Sequence, residues 1–515
     1  VVAHEYSLAS AWGAPPLAIA CLSAALKEAG YRVTIIDAFG EAIEEFHRID
    51  DHPLFANGLR AKEIVARVPE ETDFIGVSCM FSNEWIYHKR VINALAERFP
   101  GVPIAVGGEH GTADSEYVLK SCPGVTACVR GEGEETLLDL LDALSTGRPL
   151  AKVDGIAYRK EDGQCERTGK RNRMRELDAL PWPDWDDLPL RKYLDRGIGH
   201  GTNRGRNMPM LASRGCPYEC AFCSNPQMWG RLWNIRSPRS VADELKARIA
   251  EYKIDSFSFY DLTFVIRKKW TLEFTKILQE EGIKLEWHMP SGTRSEALDA
   301  EVMRELSKTG LTYVTYAPES GSKRTLQRIK KKVDLDNMVK SIRACVKEGV
   351  FCKANMVYGF PGDTWADVML SYAFVVRLAW AGMHDVAAHP FVPYPGSQFT
   401  EELRKSHGFP EDGEPYDLFL ANNCNNKYSN IRSWNENISG KQLQFICFSS
   451  MLLFYACQYM FRPWRFISLT YRIARSNPLT LPERVIFNLF NRFKRLWSSK
   501  AQELDAPTES PSTGA

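Results

Sequence analysis

The sequence lacks an excess of either charge. Its 65 Lys and Arg stand against 64 Asp and Glu, a formal charge of +1 over 515 residues, so bulk charge gives no sign of a polyanionic partner and no nucleic acid is expected. It also lacks a recognisable signal peptide and a basic, β-rich tail suited to RNA. No second Cys-x-x-Cys and no His-x-x-x-His follow the one compact cysteine group at the distance a four-ligand zinc site needs. The 13 cysteines are an odd number in a long chain, which is unlike the disulfide framework of a small secreted domain. Cys21, Cys79, Cys345, Cys352, Cys447 and Cys457 lie in apolar stretches, where small buried thiols are the default. So many unpaired thiols fit a reducing, cytoplasmic setting. The chain opens Val1-Val2 without an initiator Met, which reads as a first strand entered part-way.

What is present is the material of a large α/β protein. The length suits about three or four domains of ~150 residues, and 44% hydrophobic residues can fill their cores. Residues 1–150 alternate apolar strands with amphipathic helices. Val1–Ala3 and Tyr31–Asp37 are the first two expected strands, with a helix over Leu17–Gly30 between them. Phe74–Ser78, Pro103–Gly107 and Ala127–Arg130 follow, with a helix at Glu84–Phe99. This pattern predicts a doubly wound, Rossmann-like sheet. The ligand crevice of such a sheet lies beyond the carboxyl ends of its strands, where Ser78, Gly107-Gly108 and Arg130-Gly131-Glu132-Gly133-Glu134 fall. Residues 151–204 read as a linker containing Leu180-Pro181-Trp182-Pro183-Asp184.

From about 205 to 400 the alternation resumes. Expected strands at Met208–Ser213, Ser256–Phe259, Lys284–His288, Tyr313–Ala317, Ala354–Tyr358 and Asp385–Phe391 each run into polar or glycine-rich residues, which is how barrel strands end at an active face. The first of them leads into Ser213-Arg214-Gly215-Cys216-Pro217-Tyr218-Glu219-Cys220-Ala221-Phe222-Cys223. A Cys-x-x-x-Cys-x-x-Cys spacing arises by chance in about one chain in a hundred of this composition. Thiolates hold iron in iron–sulfur clusters, and three leave one iron of a four-iron cluster open. A zinc site or a disulfide loop is the plainer reading of the same residues.

At this point the sequence resembles the radical S-adenosylmethionine (SAM) enzymes, and Phe222 before the last cysteine is similar to that family. The resemblance implies that Cys216, Cys220 and Cys223 hold a 4Fe-4S cluster whose open iron chelates SAM, within a partial (βα)6 barrel. It further implies that Glu319 and Ser320, in Glu319-Ser320-Gly321, contact SAM. Tyr358 and Gly359, in Tyr358-Gly359-Phe360-Pro361-Gly362, approach its adenine, and Asp261 stands at the acidic end of strand two, where Leu262 replaces a second acid. Arg294 either holds a carboxylate of SAM or substrate, or forms a salt bridge at the barrel mouth. The N-terminal segments resemble the cobalamin-binding domain of one large subclass, which implies Ser78, Gly107, Gly108, Gly131 and Glu132 as cobalamin contacts. Where that subclass can carry Asp-x-His-x-x-Gly, this chain has Asp37-Ala38-Phe39-Gly40-Glu41-Ala42, so cobalamin is expected without a histidine ligand. An empty Rossmann-like domain is the alternative. His4, His47, His88 and His110 read as surface or core histidines.

The activity this resemblance implies is cobalamin-dependent C-methylation at an unactivated carbon of a small or lipid-like substrate, with electrons from a flavodoxin or ferredoxin. An oxidative cyclase or rearrangement enzyme, similar to the anaerobic one of chlorophyll biosynthesis, shares the cofactors. A tRNA methylthiotransferase and a non-catalytic cofactor-binding protein fit less of the sequence. Residues 401–500 read as a helical domain that sets the substrate. Leu443–Phe461 carries no charge over 19 residues, but Gln444, Ser449, Ser450 and Gln458 favour a buried cap over a membrane span. Val485–Trp497 reads as a basic amphipathic helix, with Ile486, Leu489, Phe490, Phe493, Leu496 and Trp497 on one face. Such a helix suits peripheral contact with a membrane as well as packing onto the protein. Residues 501–515 are expected to be disordered.

Overall fold

The computed structural model describes residues 2–4, 13–49, 52–201, 205–406, 408–422, 431–475, 479–480 and 482–487. Two larger sheets, of five and six strands, organise the chain. β1 (Val2–His4), β2 (Phe46–Arg48) and β3 (Leu54–Asn57) form a small antiparallel sheet in the order β1-β3-β2. β4 (Ile75–Ser78), β5 (Ile104–Gly107) and β6 (Val125–Val129) are parallel, and β7 (Ile156–Arg159) and β8 (Cys165–Arg167) continue that sheet antiparallel.

The expected order of strands is corrected here. β1 pairs with β3 and stays out of the parallel sheet. Tyr31–Asp37 has no regular secondary structure and joins no sheet, although its apolar residues suit a strand. A strand is stabilised by the cross-strand ladder of its neighbours, and among the described residues none pairs with this segment. Asp37 instead accepts from the backbone N–H of Gly40 and starts a short turn of helix. The N-terminal sheet also reaches further than expected, because β7 and β8 lie in the segment read as linker.

The second sheet contains β9 (Asn207–Met210), β12 (Ser256–Phe259), β13 (Glu286–Thr293), β14 (Leu311–Glu319), β15 (Phe351–Tyr358) and β16 (Asp385–Pro390), all parallel and adjacent in sequence order. Helices such as Pro238–Tyr252, Lys268–Glu280 and Leu335–Lys347 connect them. This is the six-unit βα barrel the sequence predicts, with an open wall between β9 and β16. β9 and β12 are buried along their whole length, as strands covered on both faces must be. Met208–Ser213 proves to be two pieces. β9 stops at Met210, and β10 (Ser213–Arg214) turns away to pair with β11 (Asn234–Ile235).

The Trp365–Ala381 helix after β15 begins with a capping box. Thr364 and Asp367 satisfy each other's free backbone donors, as this arrangement does at helix starts. Asp367 also accepts from Ser322 Oγ at 2.6 Å and pairs with Arg324. Burial works against its charge, but these donors outweigh it and hold the carboxyl below its ordinary value of 3.8. A depressed carboxyl contributes stability that is present above its unfolded pKa and lost as pH falls through the folded one. Asp367→Asn is therefore expected to cost about 1–2 kcal/mol near neutrality. In urea titrations that difference should hold from pH 7 to 5 and shrink as the pH drops below 4.

Gly440–Phe461 forms one helix lying against the Trp365–Ala381 helix and β16. It is a cap on the barrel, buried on one side only. Of the expected C-terminal amphipathic helix, residues 485–487 are described, with Val485 and Ile486 exposed. Leu489, Phe490, Phe493, Leu496 and Trp497, and the tail 501–515, lie outside the described residues.

Candidate functional site

The cysteine loop leaves β10 and crosses the carboxyl ends of the barrel strands. Cys216, Cys220 and Cys223 are partly buried free thiols near enough to influence one another's ionisation. Burial raises all three, Cys223 to about 12. Iron binding would therefore have to displace their protons. Against Cys216 and Cys220 that rise is opposed by Lys331. Phe222 packs on Phe360 of the strand-five motif, with ring centroids 5.4 Å apart, and Ala221 hydrogen-bonds to the Ile329 carbonyl at 2.9 Å. The loop is thus fastened to the segments that follow both β14 and β15.

At the end of β14, Glu319 adopts a left-handed conformation, φ +63°, which is unusual for a residue with a side chain. Its carboxylate pairs with Lys331 Nζ at 2.9 Å, and both side chains are only 10% exposed. Burial opposes the charge on Lys331, and Glu319 more than compensates. Lys331 thus brings a fixed cation to the two cysteines and Glu319 at one mouth. The sequence reading missed it. The signal was the run Lys330-Lys331-Lys332 a helix beyond Glu319-Ser320-Gly321. Ser320 Oγ lies 3.1 Å from Ser371 Oγ, so it is tied to the Trp365–Ala381 helix.

Three expected SAM contacts are oriented otherwise. Asp261 is buried and accepts from the backbone of Ala212, at 3.1 Å, and of Ser213. Burial raises its pKa to about 6 despite these bonds. It anchors the root of the cysteine loop. Arg294 stacks 3.7 Å over the ring of Tyr218 and pairs with Glu296 at 3.0 Å, which is the salt-bridge reading with a face against the loop. Tyr358 points out of the barrel to Ser450, with 2.6 Å between oxygens. Gly359 beside it has φ +80°, and a Cβ there would sit 2.9 Å from Leu443, so the strand-five backbone and the cap helix touch directly.

The N-terminal sheet presents its carboxyl ends to the same mouth. Gly108 has φ +91°, and a Cβ there would lie 2.5 Å from the Cys79 carbonyl oxygen; only glycine lets β4 and β5 end this closely. Ser78, Gly107 and Gly131 line that edge, and Gly131 N–H donates to Thr112 at 3.0 Å. Phe39 packs against Tyr193, centroids 5.7 Å apart. His110 is buried, 3.0 Å from Ser82 Oγ and tilted against Trp85 at 4.7 Å between ring centroids, and burial lowers its pKa to about 4. His88 contacts the carbonyls of Ser78 and Glu84, and His47 contacts Tyr87. These three are core and packing histidines, as read. The side chain of His4 lies outside the described residues.

Glu132, expected at cobalamin, turns instead to Arg173 at 3.1 Å and Arg214 at 3.5 Å. Arg214 also pairs with Glu134 at 2.6 Å. Burial disfavours both charges of that pair, yet each holds the other ionised, with Glu134 below its ordinary range and Arg214 above it. Glu109 hydrogen-bonds Ser224, the residue after Cys223, and its burial raises its pKa to about 7. Arg214 stands two residues before Cys216. The glycine-rich edge of one domain and the cysteine loop of the other are therefore clamped at both ends of the loop.

A parallel-edge crevice facing a three-cysteine barrel mouth defines the class. The Radical SAM superfamily profile matches residues 210–375, and the B12 binding domain profile matches residues 12–141. The chain thus carries a B12 binding domain and, after it, a radical SAM domain. It is 29% identical over 392 residues to an uncharacterized methyltransferase of Pyrococcus horikoshii, covering 75% of this chain and 78% of that one. It is 28% identical to the anaerobic magnesium-protoporphyrin IX monomethyl ester cyclase of Rubrivivax gelatinosus, covering 76% and 66%. Its fold is similar to that of TsrM, a radical SAM methyltransferase from Kitasatospora setae solved with cobalamin and a [4Fe-4S] cluster. That match has a TM-score of 0.61 at 19% identity and covers 78% of this chain and 77% of that one.

Proposed function

We propose that this chain is a cobalamin-dependent radical SAM methyltransferase acting at an unactivated carbon of a small or lipid-like substrate. The observation that carries the reading is the clamp that Arg214 and Glu109 make between the glycine-lined edge and the cysteine loop, because methyl transfer needs both cofactors at one substrate. When bound, the cluster and SAM supply a hydrogen-abstracting radical, and cobalamin supplies the methyl group. Cys216, Cys220 and Cys223 would each give a thiolate to a separate iron. Lys331 and Glu319 would hold the charge balance beside them, and Phe222 and Phe360 would keep water from that side. Ser78, Gly107, Gly108 and Gly131 would cradle cobalamin. A flavodoxin or ferredoxin would be the electron donor, in the cytoplasm, and the segment beyond Pro482 would add a peripheral membrane contact.

In the sequence Phe39 stands where the motif's histidine ligand would be. The reconstituted protein is accordingly expected to show a cob(II)alamin electron paramagnetic resonance spectrum without nitrogen splitting from protein. A histidine splitting would refute the assignment of Phe39 to that position.

Each turnover should consume two SAM, yielding one S-adenosylhomocysteine, one 5′-deoxyadenosine and a product heavier by one methyl group. The relative from Rubrivivax gelatinosus favours a second reading, an oxidative cyclase. A product without added methyl, formed with 5′-deoxyadenosine and no S-adenosylhomocysteine, would establish the cyclase in place of the methyltransferase.

A further inference from the structure

From the outward side of the cap we infer that this protein docks on an anionic lipid bilayer through the adjacent faces of the Trp365–Ala381, Gly440–Phe461 and Arg465–Ala474 helices. This surface is separate from the segment beyond Pro482, and the inference stands apart from the reaction proposed above. The first two helices run side by side in the same direction, because Tyr372 meets Ser449 at 2.6 Å and Trp380 meets Phe461 at a 5.0 Å centroid distance. Outward along Gly440–Phe461 stand Phe445, Phe448, Leu452, Ala456 and Met460, a stripe repeating every three or four residues. Phe448 is 62% exposed and Met460 69%. Beside it the neighbouring helix exposes Met369, Leu370 and Trp380.

The third helix extends the same patch. Tyr459 stacks on Phe466 at 4.2 Å, while Trp464, Ile467 and Tyr471 are exposed, Ile467 to 74%. An apolar surface of this extent on a soluble domain marks a contact. Its Trp and Tyr residues suit the level of lipid headgroups.

The charge around the patch selects the occupant. From residue 437 to 482 there is no Asp or Glu, while Lys441, Arg462, Arg465, Arg472 and Arg475 give five cations. Arg462 and Arg465 are held by the carbonyls of Ala379 and Trp380 and of Gly382 and Met383. Arg472 pairs with Glu483. A second copy would bring the same cationic surface against itself, since a two-fold contact joins like to like; anionic lipid complements it. Spanning is ruled out by the other side of the long helix. Ser450 bonds Tyr358, Tyr455 bonds Asp385, and Gln458 donates to the carbonyls of Met383 and His384, so the helix cannot leave the barrel. It would lie in the interface plane, as amphipathic helices do. It also rests on β16, the strand that borders the open wall.

The test is flotation of the intact chain with vesicles of phosphatidylcholine alone or with phosphatidylglycerol. Binding should require phosphatidylglycerol and weaken with salt. Phe448→Ser with Leu452→Ser should reduce it about tenfold or more, and Lys441→Glu with Arg475→Glu should remove its preference for anionic lipid. Both variants should keep the parent's circular dichroism and thermal midpoint, and the charge pair keeps the test open should the apolar pair fail to fold. Failure of the intact chain to float with either vesicle would overturn the inference. So would undiminished binding by both variants. A dimer in sedimentation that the apolar pair dissolves would make the surface a contact between copies instead.

Discussion

Cys220→Ala is expected to yield a folded protein that takes up almost no iron on anaerobic reconstitution and forms no 5′-deoxyadenosine above background. The parent should hold ~4 iron per chain. Three thiolates are the fewest that leave a single open iron, and two cannot retain the cluster. Cys216→Ala and Cys223→Ala should behave alike. The loop itself should survive, because it is fastened through the Ala221 backbone, Phe222 and the Asp261 anchor, none of which needs the thiol. Cys345→Ala is the comparison. It removes a thiol buried in the barrel core and should cost about 1 kcal/mol without loss of iron. Iron content and SAM cleavage that persist in Cys220→Ala would remove the basis for the cluster site.

Arg214→Ala is expected to destabilise the protein by about 3–5 kcal/mol. The arginine side chain is 9% exposed, and its partners Glu134 and Glu132 are 10% and 12% exposed. Removing the cation leaves the nearly buried Glu134 without its counter-charge, while Glu132 keeps Arg173. Arg214→Met combined with Glu134→Leu should recover part of the loss, since an apolar pair needs no compensation. The urea midpoint of each variant measures this. An Arg214→Ala change of less than ~1 kcal/mol would mean that water reaches the pair and that it clamps nothing.

The fold was legible wherever one segment carried its own information. The six barrel strands each combine an apolar run with a polar or glycine-rich exit, and all six begin or end within three residues of the expected place. The cysteine loop announced itself by spacing alone. Tyr31–Asp37 was not legible as a non-strand, because its composition is that of a strand and the missing quantity is a neighbour. Side-chain direction was hidden for a similar reason. Asp261, Tyr358 and Glu132 stand in the expected motifs, but β10 turning off the barrel draws Asp261 to the backbone, the cap helix offers Tyr358 a hydroxyl, and Arg214 claims Glu132. Lys331 was invisible because a lysine run reads as solvated until a buried carboxylate is found beside it. Gly440–Phe461 was readable as apolar, yet composition does not say which side faces the protein.

The open wall between β9 and β16 bears on how such an enzyme changes over time. A closed barrel admits substrate only through its ends, so altering what it accepts means altering the rim that performs the chemistry. Here the rim belongs to the cysteine loop and the β14 and β15 motifs, whereas the gap is bordered by β16 and the helices that follow it, beyond residue 375, where neither family profile reaches. Substitutions there redraw the border of the gap and leave the cysteine loop and the β14 and β15 motifs untouched, so the two parts of the barrel are free to change separately.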